Sequence, residues 1–167
     1  MKTFKTILVV LLIILIVIQF FHPVKNVSTA PPSSNDVAVM YSEPDNVRTI
    51  LNKACNDCHS NNTRYPWYNN IQPVAWWLKS HVEDGKHELN FNEIGSYPPR
   101  RQYNKFKEIK ELVKEDEMPL SSYTIIHTDA KLTAQEKATI TDWANSIQAT
   151  MRSKYPPDSL ARKKRPV

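Results

Sequence analysis

Apolar residues along this chain form one solid block followed by several interrupted stripes. From Ile7 to Ile18 every position is apolar, Phe20 and Phe21 extend the run past Gln19, and Lys2 and Lys5 precede it. Charge followed by hydrocarbon is the order of an export signal or signal anchor, which would carry the rest of the chain out of the cytoplasm. A helix over Thr6 to Phe21 falls slightly short of the ~20 residues that span a bilayer comfortably, yet exceeds the ~7–15 residues usual for a cleaved signal core. The best cleavage candidate, Ser28-Thr29-Ala30, lies well past the apolar core and runs into Pro31 and Pro32. The reading is therefore an uncleaved transmembrane anchor over residues 1–23, with the lysines inside and the chain after His22 outside. The alternative is a soluble periplasmic protein left by signal cleavage.

Beyond the block, apolar positions recur at helical spacing. Ser42 is expected to cap a helix whose stripe is Val47, Ile50, Leu51 and Ala54. A second helix is expected from Pro73 to Asp84, with Pro73 in its first turn and Gly85 as a left-handed stop. A third, from Arg101 to Lys114, would turn Tyr103, Phe106, Ile109, Leu112 and Val113 inward. A fourth would start at Thr133, where Thr133 and Glu136 form a capping box, and bury Ile140, Trp143, Ala144 and Ile147. No stretch alternates with period two, and two glycines are too few for a turn-dense β fold. The fold class is all-α. The Pro-, Ser- and Asn-rich stretch makes 24–41 a flexible linker, 42–150 a single domain and 151–167 a basic tail ending in Arg162, Lys163, Lys164 and Arg165. A net charge of +5 is modest and concentrated in that tail. For a chain outside the cytoplasm, no nucleic-acid partner is expected.

One pentapeptide adds chemistry to this picture: Cys55-Asn56-Asp57-Cys58-His59. Two thiols three apart, followed at once by a histidine, are what covalent attachment of a c-type haem requires. On a helical stretch both sulfurs reach the vinyl edges of one porphyrin while His59 is presented to the iron as proximal ligand. The alternatives are a thioredoxin-like redox pair, half of a zinc site, or a structural disulfide. A redox pair would sit in a βαβ pattern that is absent here, and a thiol-rich zinc site would need more than the two cysteines this chain has.

The order of helix, CxxCH, irregular middle, Met-Pro loop and last helix is similar to a small class I cytochrome c. More specifically, the run Cys55 to Tyr68 with Tyr65-Pro66-Trp67-Tyr68, the run Ile71 to Gly85 with Trp76-Trp77, and the later Met118-Pro119, Tyr123, His127 and Leu132 to Glu136 closely resemble a bacterial haem-binding domain family of Bacteroidetes-type proteins. The likeness covers roughly Val47 to Trp143. It implies a small cytochrome c-like helical domain around one covalent haem c, matured on the periplasmic side of a bacterial inner membrane, and it leaves the sixth iron ligand open.

Met118 is the first candidate for that position. A thioether is a soft ligand that favours ferrous iron and suits electron transfer, and Pro119 disfavours helix at Met118. The competing view is a methionine that merely fills core. His127, in the same region, is the alternative distal ligand and would give a lower-potential His/His site. Arg64, Tyr65, Trp67 and Trp77 are candidates for the haem pocket wall, against an ordinary aromatic core. His22, His81 and His87 read as solvated. The leading expectation is an electron carrier handing electrons to a redox partner protein in the membrane or periplasm, with no catalytic residues. The alternatives are a peroxidase-like haem enzyme or gas sensor with a labile sixth ligand, and a membrane-tethered thiol-disulfide protein.

Overall fold

The computed structural model describes residues 2–161, so the basic cluster Arg162 to Arg165 lies outside the described residues. Among the described residues every regular element is helical and no strand occurs. The solid apolar block forms α1 (Lys2–Ile18), none of whose residues is buried. It ends before the expected Phe21 because Gln19 is drawn out of the helix. The Gln19 side chain donates to Gln72 O at 3.1 Å and accepts from Gln72 N at 2.9 Å. At 17 residues, α1 is about 26 Å long against a hydrocarbon core of roughly 30 Å. Among the described residues no helix is long and apolar enough to cross a membrane.

The stretch read as a flexible linker is held against the domain over much of its length. Asn26 donates its backbone N–H to Tyr65 Oη (2.7 Å) and its side-chain amide to Ser60 O (2.8 Å). Further on, α2 (Val37–Met40) is capped by the Asp36 carboxylate, and Val37 is 3% exposed in the main core. The polar composition of 24–41 concealed this because its hydrogen bonds go to loops that sequence periodicity does not locate.

The core forms where α3 (Asp45–Ala54) and α6 (Pro99–Lys114) pack on the long α8 (Ala134–Lys154). Val47, Ile50 and Leu51 join Phe106, Ile140, Trp143 and Ile147 in one buried cluster, the crossing that the apolar stripes require. Phe106 stands edge-on to both Tyr41 and Trp143, with ring centroids 5.6 Å apart in each pair. The expected capping box at Thr133 and Glu136 is present at the start of α8. The cap expected at Ser42 is not: Pro44 precedes the first turn of α3, and the Ser42 carbonyl instead accepts from Trp143 Nε1 at 3.0 Å. The short α9 (Pro157–Leu160) folds back on α6, so part of the segment read as tail completes the core through Met151 and Leu160.

Candidate functional site

Helix α3 ends at Ala54, Cys55 breaks its course with φ −127°, and the single turn α4 (Asn56–His59) carries the rest of the pentapeptide at an angle to it. Against α4 lies α5 (Val74–Glu88), which does not stop at Gly85 as expected but runs three residues beyond it. Gly85 serves packing instead. A Cβ there would come within 2.7 Å of Cys58 O and 3.0 Å of Cys58 Cβ, so only a hydrogen lets α5 approach the turn bearing the second thiol. A glycine inside a helix costs roughly 1 kcal/mol against alanine, and such a cost within an otherwise helical pattern is a signal of close approach. Gly85→Ala is therefore expected to destabilise the apo chain by about 1–3 kcal/mol through overpacking. Urea unfolding checks this: a gain of stability of the size that helix propensity gives alanine would mean that α4 and α5 meet loosely.

Cys55, Cys58 and His59 line one cavity of about 390 Å³, and Met118 lines it too. The greater part of its wall is hydrocarbon from α3, α6 and α8, including Leu51, Ile109, Leu112 and Ile140. The His59 ring is fixed by its Nδ1, 2.9 Å from Leu89 O. A carbonyl can only accept, so Nδ1 carries the proton and Nε2 keeps a free lone pair. Burial, partly offset by hydrogen bonds to backbone, holds the His59 pKa below its ordinary value, which keeps the ring neutral at pH 7. The two thiols are free. Burial pushes Cys55 up to about 12 and Cys58 up to about 11, with the neighbouring Asp57 also raising the latter. Protonated thiols in an apolar wall are poor nucleophiles, the reverse of a redox-active pair.

Met118 reaches the wall through the end of α6. Asp116 adopts the left-handed conformation (φ 60°), and Glu117 N donates back to Leu112 O at 2.9 Å. That is the 6→1 bond of a Schellman stop, and it turns the chain back across the end of the helix. Met118 N also donates to Leu112 O, at 3.2 Å, and the Met118–Pro119 peptide is cis. The short α7 (Ser121–Thr124) that follows ties this loop to the pentapeptide through Tyr123, whose hydroxyl donates to Asp57 Oδ2 at 2.7 Å. Asp57 is buried, and Arg64 neutralises it with Nε and Nη2 at 3.0 and 3.1 Å. Burial, and secondarily Asp57, holds the Tyr123 phenol well above its usual range, so it stays a donor.

The other expected pocket residues do not line this cavity. Arg64, Tyr65, Trp77 and His127 surround a separate space of about 50 Å³ on the far side of Asp57 and Tyr123. His127 is engaged there: its Nε2 lies 2.7 Å from Tyr68 Oη and its ring stacks on Tyr123 at 4.3 Å. Tyr65 is occupied by Asn26, and Trp67 is 76% exposed. Sequence proximity to the pentapeptide suggested these side chains, but the chain leaves the cavity immediately after His59. His81, expected in solvent, is half-buried on the cavity wall with its ring 4.2 Å from Trp77. Lys105 and Glu108 of α6 and Glu88 of α5 also line the cavity, and a pattern of apolar positions cannot single them out because they are charged.

The donor chemistry fits a haem. Two thiols, an imidazole with one committed and one free nitrogen, and a thioether share an apolar cavity, and a glycine lets α5 close on the turn that bears Cys58. A family model described as a haem-binding domain matches residues 13–146, beginning within α1 and ending within α8. No curated protein and no solved structure matches the chain.

Proposed function

The chain belongs to the haem-binding domain family, and from that premise we propose that it is a monohaem c-type electron carrier anchored in the bacterial inner membrane with its domain in the periplasm. The observation that carries this reading is the convergence on one apolar cavity of Cys55, Cys58, a tautomer-fixed His59 and Met118. Cys55 and Cys58 would hold the porphyrin as thioethers, His59 would present Nε2 to the iron, and Met118 would fill the sixth position. Haem supplies a one-electron iron couple at such a site, and a soft thioether biases it toward the reduced form. Chemistry on a bound small molecule would instead want a free acid, base or cation beside the iron. The two groups that the sequence offered for such chemistry are spent elsewhere, Arg64 on Asp57 and His127 on Tyr68, and Lys105 on the cavity wall is paired with Glu88 and Glu108.

Anchoring is supported by α1, whose side chains are apolar on all sides from Ile7 to Ile18 and exposed throughout most of that length. A helix of that kind is soluble only when something apolar surrounds it. Its shortfall in length is made up by the aromatic connection to the domain. Phe20 and Phe21 are exposed, Trp76 donates Nε1–H to Phe21 O at 3.0 Å, and Trp67 and Ile71 are also exposed. Aromatic rings of this kind favour the headgroup level of a bilayer. Expressed with c-type maturation machinery, the full chain is expected in the membrane fraction, carrying one haem that survives denaturation and a ferrous spectrum unaltered by CO. Release into the soluble fraction with a mature terminus near Pro31 would overturn the anchor, and loss of all haem to acid and organic extraction would overturn covalent attachment.

A further inference from the structure

The cavity carries an ionic group for which an apolar cofactor site has no evident use. Among the described residues lining it, Lys105 is the one lysine or arginine. Its side chain is 14% exposed, and Nζ lies 3.1 Å from Glu88 Oε2 and 2.7 Å from Glu108 Oε2. The two carboxylates stand largely in water, with side chains 68% and 48% exposed, so they do not need the lysine. The lysine needs a partner, because a desolvated ammonium in a hydrocarbon wall is costly unless paired. As a mere tie between α5 and α6 it would be a poor choice, since an apolar side chain would line the cavity at lower cost. A cation kept at that wall fits a ligand that brings negative charge into an otherwise apolar space, and the rim offers it nothing else. Asp84, Glu88 and Glu108 are acidic, and Arg64 faces away onto Asp57.

We propose that Lys105 binds a propionate of the haem, exchanging the exposed carboxylates of Glu88 and Glu108 for the porphyrin carboxylate when the cofactor enters. This rests on the haem reading of the cavity and adds to it an orientation: the propionate edge lies toward α6 and the C-terminal end of α5, and the vinyl edge toward Cys55 and Cys58. Haem insertion then turns an ion pair between α5 and α6 into a cofactor contact.

The test is a titration of the full-length apo chain in detergent with ferric protoporphyrin IX and, separately, with its dimethyl ester, followed by the Soret band. Esterification removes the propionate charge and leaves the macrocycle unchanged. The wild type is expected to prefer the free acid by about tenfold or more, the size of one hydrogen bond to a charged group. Lys105→Met should abolish that preference, read as the ratio of the two affinities in the same variant, and Lys105→Arg should keep it. Glu88→Gln and Glu108→Gln, which retain the lysine and free it from a competitor, should widen the preference. Equal binding of both porphyrins by the wild type overturns the assignment, as does a preference that survives in Lys105→Met. Should Lys105→Met fail to fold, the glutamine variants decide, and an unchanged preference in both counts against the lysine. If neither porphyrin binds the wild type, the haem reading of the cavity fails and the lysine assignment falls with it.

Discussion

Replacing Cys55 and Cys58 together with alanine is expected to abolish all haem that survives denaturation, while leaving the helical content of the domain unchanged. Both thiols lie on the wall of the cavity that His59 and Met118 share, and they are the only two cysteines in the chain. No other side chain there can form a thioether. Their burial holds them protonated, up to about 12 and about 11, so the double variant removes no thiolate charge at neutral pH and leaves only small apolar vacancies. Each single variant should retain haem through one bond. A haem-stained denaturing gel and the intact mass of the chain read the result together, because covalent haem adds mass whereas a disulfide removes two hydrogen atoms. A double variant that keeps all of its haem through denaturation would show that attachment runs through another residue, and a wild type lighter by two hydrogen atoms would favour the thiol-disulfide reading.

The helices were legible in the sequence to the extent that each buries one stripe. Phe106 and Val113 on α6, and Ile140, Trp143 and Ile147 on α8, sit in the core as helical periodicity requires, and the Thr133 capping box forms. Ends were less legible where a tertiary contact outweighed local preference. Gly85 resembles a helix stop because its usual use is a left-handed turn, yet α5 continues through it so that α5 can reach Cys58. Gln19 lies in a run that would continue a helix, but two hydrogen bonds to Gln72 end α1 there. The pentapeptide announced its own chemistry because its spacing is set by the porphyrin and not by the fold. The rest of the wall was hidden, since Lys105, Leu112 and Ile140 come from helices far along the chain and meet the pentapeptide only through packing.

Asp57 illustrates what spacing cannot express. It is one of the two variable positions between the cysteines, where the motif tolerates any residue. Here it is buried and gathers Arg64, Tyr123 and the backbone N–H of Arg64 around one carboxylate. That arrangement fixes the segment after His59 and the loop after Met118 to the same anchor point. The two sides of the cavity, 60 residues apart in sequence between Cys58 and Met118, are thereby held by a single buried charge with its counter-charge supplied.

Met118→Ala is expected to convert a closed iron site into an open one, with the ferrous protein passing from no detectable CO binding to stoichiometric binding and its reduction potential falling. The Schellman turn at Asp116 and the Tyr123 contact bring the Met118 segment to the cavity, and Met118 supplies a soft donor on the same wall system as the free Nε2 of His59. Axial-ligand identity sets haem potentials over roughly 0.8 V. Truncating the thioether should therefore move the potential further than any single change in the cavity that leaves both axial ligands in place. Met118→His should keep the site closed at a lower potential, because imidazole favours ferric iron more than a thioether does. His127→Ala should change neither property, since His127 is engaged with Tyr68 and does not line the cavity. Spectroelectrochemistry and CO titration of the four proteins decide the matter. Rapid, complete CO binding by the wild type would make Met118 a packing residue and favour the gas-sensor or enzyme reading, and opening of the iron by His127→Ala in place of Met118→Ala would move the ligand to the smaller space behind Tyr123.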